Sequence, residues 1–179
     1  MYGIVNKSIQ ELIIKDFGTD KWETIKVNAE VESLNFLSNE QYDDAITYRL
    51  VKETALFLNI TQKDVLIKFG HYWILNTGLE KYGALMYSGG KDFDEFMMNL
   101  PSFHTRIMLM YPDLVPPEFL VTKDEDRLLV EYHSERKGLT YFVYGLLEGL
   151  ATMFKISIEI AVSEKNTEHN FDLFTIKWN

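Results

Sequence analysis

Apolar positions in the first half of the chain recur every three or four residues, the period of a helix with one buried face. Ile4, Val5, Ile9, Leu12, Ile13 and Phe17 form the first such stripe, and Gly18 stands where a C-cap belongs. Trp22, Ile25 and Val27 predict a short second helix, and Tyr42, Ile46, Leu50, Val51 and Leu58 a third. Thr61 followed three residues later by Asp64 is a capping-box signal ahead of Val65, Leu66, Phe69 and Trp73. Residues 92–100 predict a short helix carrying Phe93, Phe96, Met97 and Leu100. Ser102 is placed to cap a further helix that ends before Pro112.

The period changes after Pro117. Residues 118–122 and 128–134 read as strands around the turn Lys123-Asp124-Glu125-Asp126, and a helix is expected over 137–154. Ile156, Ile158, Ile160 and Val162 then alternate to one side, and residues 171–178 are the expected hairpin partner across the polar loop 163–170. The predicted fold is α+β in one domain, 1–179. It has a helical N-terminal lobe over about 1–60, then helices and an antiparallel sheet with a packed helix over 61–179. Val115-Pro116-Pro117 is stiff, so no loose linker divides the chain.

Composition narrows the class. The 179 residues are 46% hydrophobic, 14% aromatic and 25% charged, a globular balance. The net charge of −9 argues against nucleic acid or an anionic membrane as partner. The absence of cysteine excludes disulfides, thiolate metal sites, cysteine nucleophiles and covalent haem attachment. It suits a reducing compartment, and with no apolar run of about 18 residues and no signal-peptide pattern the expected location is the cytoplasm.

Enzyme motifs are missing: no H-E-x-x-H, no G-x-S-x-G, and Gly89-Gly90-Lys91 is too short for a phosphate loop. Asp124, Glu125 and Asp126 read as a solvated turn. Of His71, His104, His133 and His169, only His104 lies in a strongly apolar helical segment, 103–110. A histidine there is either a single axial ligand to haem iron or a buried ring satisfied by a hydrogen bond. If the strand runs on to residue 136, alternation puts Tyr132, Ser134 and Arg136 on one face. That is either a donor comb for a dicarboxylate or a polar strand edge bonded to nearby backbone. Gly145 and Gly149 share a helix face and point to close approach by another helix or a flat ligand.

Together with Met1-Tyr2-Gly3-Ile4-Val5-Asn6, Phe69-Gly70, Asn99-Leu100, Tyr111-Pro112, Pro116-Pro117, Gly138-Leu139 and Gly145-Leu146-Leu147, these pieces resemble the haem nitric oxide/oxygen-binding (H-NOX) domain. This is the sensor domain shared with soluble guanylate cyclase. The resemblance runs over nearly the whole chain. It implies a non-covalent b-type haem between the lobes, with His104 as the iron's axial ligand and Tyr132, Ser134 and Arg136 on the propionates. It also implies haem packing by Ile4, Val5, Leu100, Leu146 and Leu147, and distortion of the haem by Pro117.

By the same resemblance Trp73 and Phe142 are distal-pocket positions. The O2-binding relatives carry a donor tyrosine where this chain has Phe142, so the resemblance implies a sensor for NO and CO that holds O2 weakly or not at all. A slip in that correspondence would bring Tyr141 or Tyr144 to the position and leave an O2 sensor. The implied mechanism is weakening of the iron–His104 bond by NO, relaxation of haem and lobes, and a signal to a separate protein. For stand-alone members that protein is a histidine kinase or a cyclic-di-GMP enzyme. Arg106, on the same helix as His104, is a candidate transmission point. The chain itself is expected not to be an enzyme. The alternatives are a haem enzyme, peroxidase-like or NO-detoxifying, with His71 near the distal segment, and an interaction domain that has lost haem.

Overall fold

A computed structural model describes residues 1–31, 35–110, 115–165 and 170–178. Tyr111-Pro112, the expected helix end before it, His169 and part of the 163–170 loop lie outside the described residues.

The first stripe forms α1 (Gly3–Phe17), with Ile9 and Ile13 buried. It ends at Gly18, whose φ of 92° is a backbone state that favours glycine. Helix α2 (Thr19–Asn28) follows at once and buries Trp22 and Ile25, while Val27 faces solvent. Helix α3 (Asp44–Leu58) starts where the Asp43 carboxylate accepts the Ala45 N–H at 2.9 Å, so Tyr42 precedes the helix. The capping box opens α4 (Gln62–Tyr72): Thr61 Oγ1 accepts the Asp64 N–H at 3.1 Å and Asp64 Oδ2 accepts the Thr61 N–H at 3.2 Å. The chain then widens into a π-helix (Trp73–Gly78) before α5 (Leu79–Tyr87), which is interrupted at Tyr82 (φ −131°, ψ 21°). The apolar spacing predicts neither the π-helix nor α5, because an extra residue in one turn shifts the phase of everything after it.

Asp92 caps α6 (Phe93–Met98), accepting the Glu95 N–H at 2.9 Å. Helix α7 (Leu100–Met110) begins two residues before Ser102, which therefore lies inside the helix and is not its cap. Pro101 belongs to its first turn, where a missing N–H costs nothing, and the Phe103 N–H closes that turn on the Asn99 carbonyl at 2.8 Å.

Strands β1 (Glu118–Asp124), β2 (Arg127–His133), β3 (Ile158–Ser163) and β4 (Asp172–Trp178) form an antiparallel sheet in the order β1-β2-β4-β3. Tyr132 stands opposite Phe119 on one side and Asp172 on the other. Strand β2 stops at His133, short of the predicted 136. The Arg136 N–H turns back to Ser134 Oγ at 3.1 Å, and Gly138 (φ 76°) swings the chain into α8 (Thr140–Met153).

Two apolar cores result. One joins Ile9, Ile13, Trp22, Ile25, Leu50 and Val51 to Val65, Leu66 and Phe69 of α4 and to Leu139. The other joins Ile74, Phe96, Met97, Leu100 and Phe103 to Leu128, Val130, Phe174 and Ile176 of the sheet and to Val143 and Leu147 of α8. Helices α4 and α8 bind the two cores together by an unusually close crossing. A Cβ on Gly70 would lie 2.2 Å from the Phe142 carbonyl oxygen, and one on Gly145 would lie 2.1 Å from the Ile67 carbonyl oxygen. At Gly149 a Cβ would meet Ile74 at 2.8 Å. The close approach expected at Gly145 and Gly149 is thus made by α4 and the π-helix.

Candidate functional site

His104 sits one turn into α7, so its ring folds back on the open start of the helix. Nδ1 lies 3.0 Å from the Leu100 carbonyl oxygen. A carbonyl only accepts, so Nδ1 carries the proton and Nε2 carries the lone pair. Burial pushes the His104 pKa below 6.5, and the bond to Leu100 opposes that only in part. A neutral imidazole whose far nitrogen is fixed by a backbone carbonyl is the arrangement that metal-ligating histidines use. The ring packs on Phe119 at 4.9 Å between centroids, and Phe119 packs on Tyr132 at 5.3 Å. One aromatic row therefore joins His104 to the polar residues at the end of β2.

Those residues are brought together by the bend after β2 and not by strand alternation. The Tyr132 phenol is hydrogen-bonded to Ser134, and burial nevertheless raises its pKa above 10. Ser134 Oγ accepts the Arg136 N–H. The Arg136 guanidinium donates from Nε to Asp44 Oδ2 at 2.8 Å and from Nη1 to the Val115 carbonyl at 2.9 Å. Asp44 also receives the N-terminal ammonium of Met1. Burial raises the Asp44 pKa, but the bonds and charges of that ammonium and of Arg136 outweigh it and hold the carboxyl below 3.8. Beside this group opens a cleft of about 700 Å³, lined by Asp44, Tyr48, Pro116, His133, Ser134 and Arg136 among others. The positions of Asp44, Tyr48 (whose hydroxyl donates to the Lys137 carbonyl at 2.9 Å) and Phe119 carry no sequence signal, since their partners are remote in the chain.

The remaining candidates divide between the lobes. Ile4 is buried at the start of α1 with Val5 beside it, while Leu100 and Leu147 belong to the second core and Leu146 packs against it. Pro117 is half-buried just before β1. Phe142 stacks on Phe69 at 4.8 Å. Tyr141 turns the other way: its hydroxyl donates to Glu164 at 2.9 Å, and Lys63 lies 4.2 Å from its ring centroid. His71, the histidine a peroxidase-like reading would need, is engaged with Thr152 at 3.2 Å in an exposed contact. Arg106 reaches the Ser88 hydroxyl and carbonyl at 3.3 and 3.5 Å. No cluster of metal-binding side chains occurs among the described residues, and no helix there is long and apolar enough to cross a membrane.

A neutral histidine offering one lone pair, and an aromatic row leading from it toward a cleft where the Tyr48 and Ser134 hydroxyls and the Arg136 guanidinium stand among Asp44, Glu118 and Glu135, supply groups of the class that can hold a flat, anionic metal macrocycle. The site fits haem on its own chemistry. Comparison makes the class specific: the family described as Haem-NO-binding matches residues 2–162, and the chain belongs to this H-NOX family of haem-based gas-sensor domains. It is 29% identical over 167 residues to soluble guanylate cyclase gcy-32 of Caenorhabditis elegans, covering 90% of this chain and 24% of the relative. It is 22% identical over 159 residues to soluble guanylate cyclase 89Db of Drosophila melanogaster, covering 86% of this chain and 23% of the relative. The chain thus spans about a quarter of the length of these relatives. An H-NOX protein from S. oneidensis in the Fe(II)NO ligation state shares the fold with TM-score 0.89 at 21% identity, over 100% of this chain and 99% of that one. The Fe(II) unliganded H-NOX protein from K. algicida gives TM-score 0.87 at 22% identity, over 100% and 97%.

Proposed function

We propose that this chain senses NO, and also binds CO, at a ferrous b-type haem, and that it signals to a separate protein. The observation that carries the reading is His104: neutral, half-buried, and fixed through Nδ1 so that Nε2 would be the ligating nitrogen. Tyr132, Ser134 and Arg136 would hold the propionates, with Asp44 keeping the guanidinium in place through Nε and leaving Nη2 for a carboxylate. With no cysteine to form a thioether, attachment is non-covalent. Ile4, Val5, Leu100, Leu146 and Leu147 supply apolar walls, and Pro117 presses on the macrocycle.

When bound, haem would supply an iron that takes diatomic gases, with His104 as the residue that would hold it and whose bond NO binding would weaken. Phe142 offers no donor to O2, and Tyr141 is committed to Glu164, which supports weak or absent O2 retention. Loss of the bond to His104 would free α7 from its tether. Helix α7 packs on β1 and α6, so its shift passes to the sheet on one side and, through Arg106, to Ser88 on the other. Two arrangements of α7 with different partner affinity are what signalling requires. A cytoplasmic histidine kinase or cyclic-di-GMP enzyme is the proposed receiver.

The test is an absorption spectrum of the purified, reduced chain with and without NO. A Soret band that moves on NO to a five-coordinate form is expected. No Soret band would refute haem binding, and a stable oxy spectrum in air would refute O2 exclusion.

A further inference from the structure

We propose that Phe119 is a positioning residue for the axial ligand: its ring fixes the plane of the His104 imidazole and so sets how firmly Nε2 holds the iron; this rests on the haem-sensor reading above. A histidine ring turns about its Cβ–Cγ bond over a broad range, because that torsion has no sharp staggered minima. The hydrogen bond from Nδ1 to the Leu100 carbonyl pins one corner of the ring. It leaves the ring free to rock about that corner. A second contact, on the ring face, is needed to define the plane.

Phe119 makes that contact. Its centroid lies 4.9 Å from that of His104, with the two rings tilted by 39°. Phe103 stands farther off, at 6.0 Å and nearly perpendicular at 77°. It also belongs to α7 itself, so it moves with the histidine and gives no outside reference. Phe119 belongs to β1, where strand alternation turns it inward while Glu118 and Leu120 face solvent. Its ring is buried and backed by Tyr132, directly opposite in the register, at 5.3 Å and 35°. Phe119 cannot retreat without parting the first two strands.

The same strand pair leads into the bend that carries Ser134 and Arg136. The groups offered to the carboxylates and the ring that orients the iron ligand therefore share one frame. A displacement of β1 and β2 at the carboxylate end reaches His104 through a single side chain, without travelling along α7.

The experiment is resonance Raman spectroscopy of the full chain with ferrous, unliganded haem, reading the iron–histidine stretch. Stopped-flow mixing with NO measures, in parallel, the change from the six- to the five-coordinate spectrum. Phe119→Leu is expected to lower the stretching frequency and to speed that change about two- to tenfold, the worth of one aromatic contact. Phe119→Met, a flexible side chain with no ring, should do the same and serves if the leucine variant does not fold. Phe119→Tyr keeps the ring and should stay near wild type. Val121→Ala loosens the same strand without removing a ring, so it should lower Tm and leave the frequency in place. An unmoved frequency and rate in the leucine or methionine variant overturn the proposal while leaving haem binding intact. An equal shift in Val121→Ala overturns it too. A wild-type chain with no Soret band fails earlier and takes the haem reading with it.

Discussion

Replacing Gly145 with alanine tests the crossing on which the two lobes depend. The new Cβ would stand 2.1 Å from the Ile67 carbonyl oxygen, 2.8 Å from its carbon and 2.9 Å from the Ile67 Cα. All three are backbone atoms, so no side chain can rotate away. The helices must separate by roughly 1 Å, and interiors packed as densely as crystals do not absorb that locally. Alanine in mid-helix would by itself add about 1 kcal/mol of stability. Overpacking costs about 1–3 kcal/mol, and here, against backbone atoms and with the Phe69–Phe142 stack and the Gly70 contact opened in the same crossing, the cost is about 3 kcal/mol. A net loss of about 2 kcal/mol is expected, which for a chain of this size lowers Tm by about 4–8 °C. Urea and thermal unfolding of the purified variant give the number directly. If Gly145→Ala were as stable as wild type, or more so, the helices would not cross this closely and the account of the seam would fail.

Four further outcomes follow from the site. His104→Gly should lose the native axial-ligand spectrum and recover a six- or five-coordinate imidazole spectrum when free imidazole is added; retention of the native spectrum without imidazole would remove His104 from the iron. In the haem-free protein, His104 has a folded pKa below its unfolded 6.5, so its contribution to stability is present above pH 6.5 and lost as pH falls through the lowered value. Tm plotted against pH should show this decline in wild type and not in His104→Gln, with a separate decline below 3.8 from Asp44, whose pKa is also lowered. Asp44→Asn should cost up to about 1 kcal/mol at low ionic strength and less at high salt, because the pair with Arg136 is only partly shielded from solvent; a salt-independent loss would point to packing instead. Phe142→Tyr should slow loss of O2 while Tyr141→Phe leaves gas binding unchanged, which stopped-flow release rates would check.

Much of this architecture is legible along the chain because the deciding interactions are local. The Thr61–Asp64 capping box, the alternation in β3 and the Gly18 stop depend on residues within a few positions of one another. The comb is legible as a set of residue types but not as geometry: strand alternation groups Tyr132, Ser134 and Arg136 for the wrong reason, since the strand has ended and a bend does the grouping. Asp44 stays invisible because its partner is 92 positions away and a lone aspartate near a helix start has an ordinary local explanation. Ser102 misleads because it is a good cap residue, while Pro101 just before it lets the helix begin earlier.

The π-helix has a consequence for reading the helices on either side of it. A regular helix keeps one phase, about 100° per residue, along its length. The wider turn at Trp73–Gly78 resets that phase, so a wheel drawn from α4 assigns residues of α5 to the wrong side. The reset is held by ties across to α1, Lys15 to Asn76 at 2.7 Å within the wide turn and Lys81 to Glu11 at 3.3 Å just after it. The first helix of the chain therefore acts as the ruler against which the segment carrying Trp73 is set.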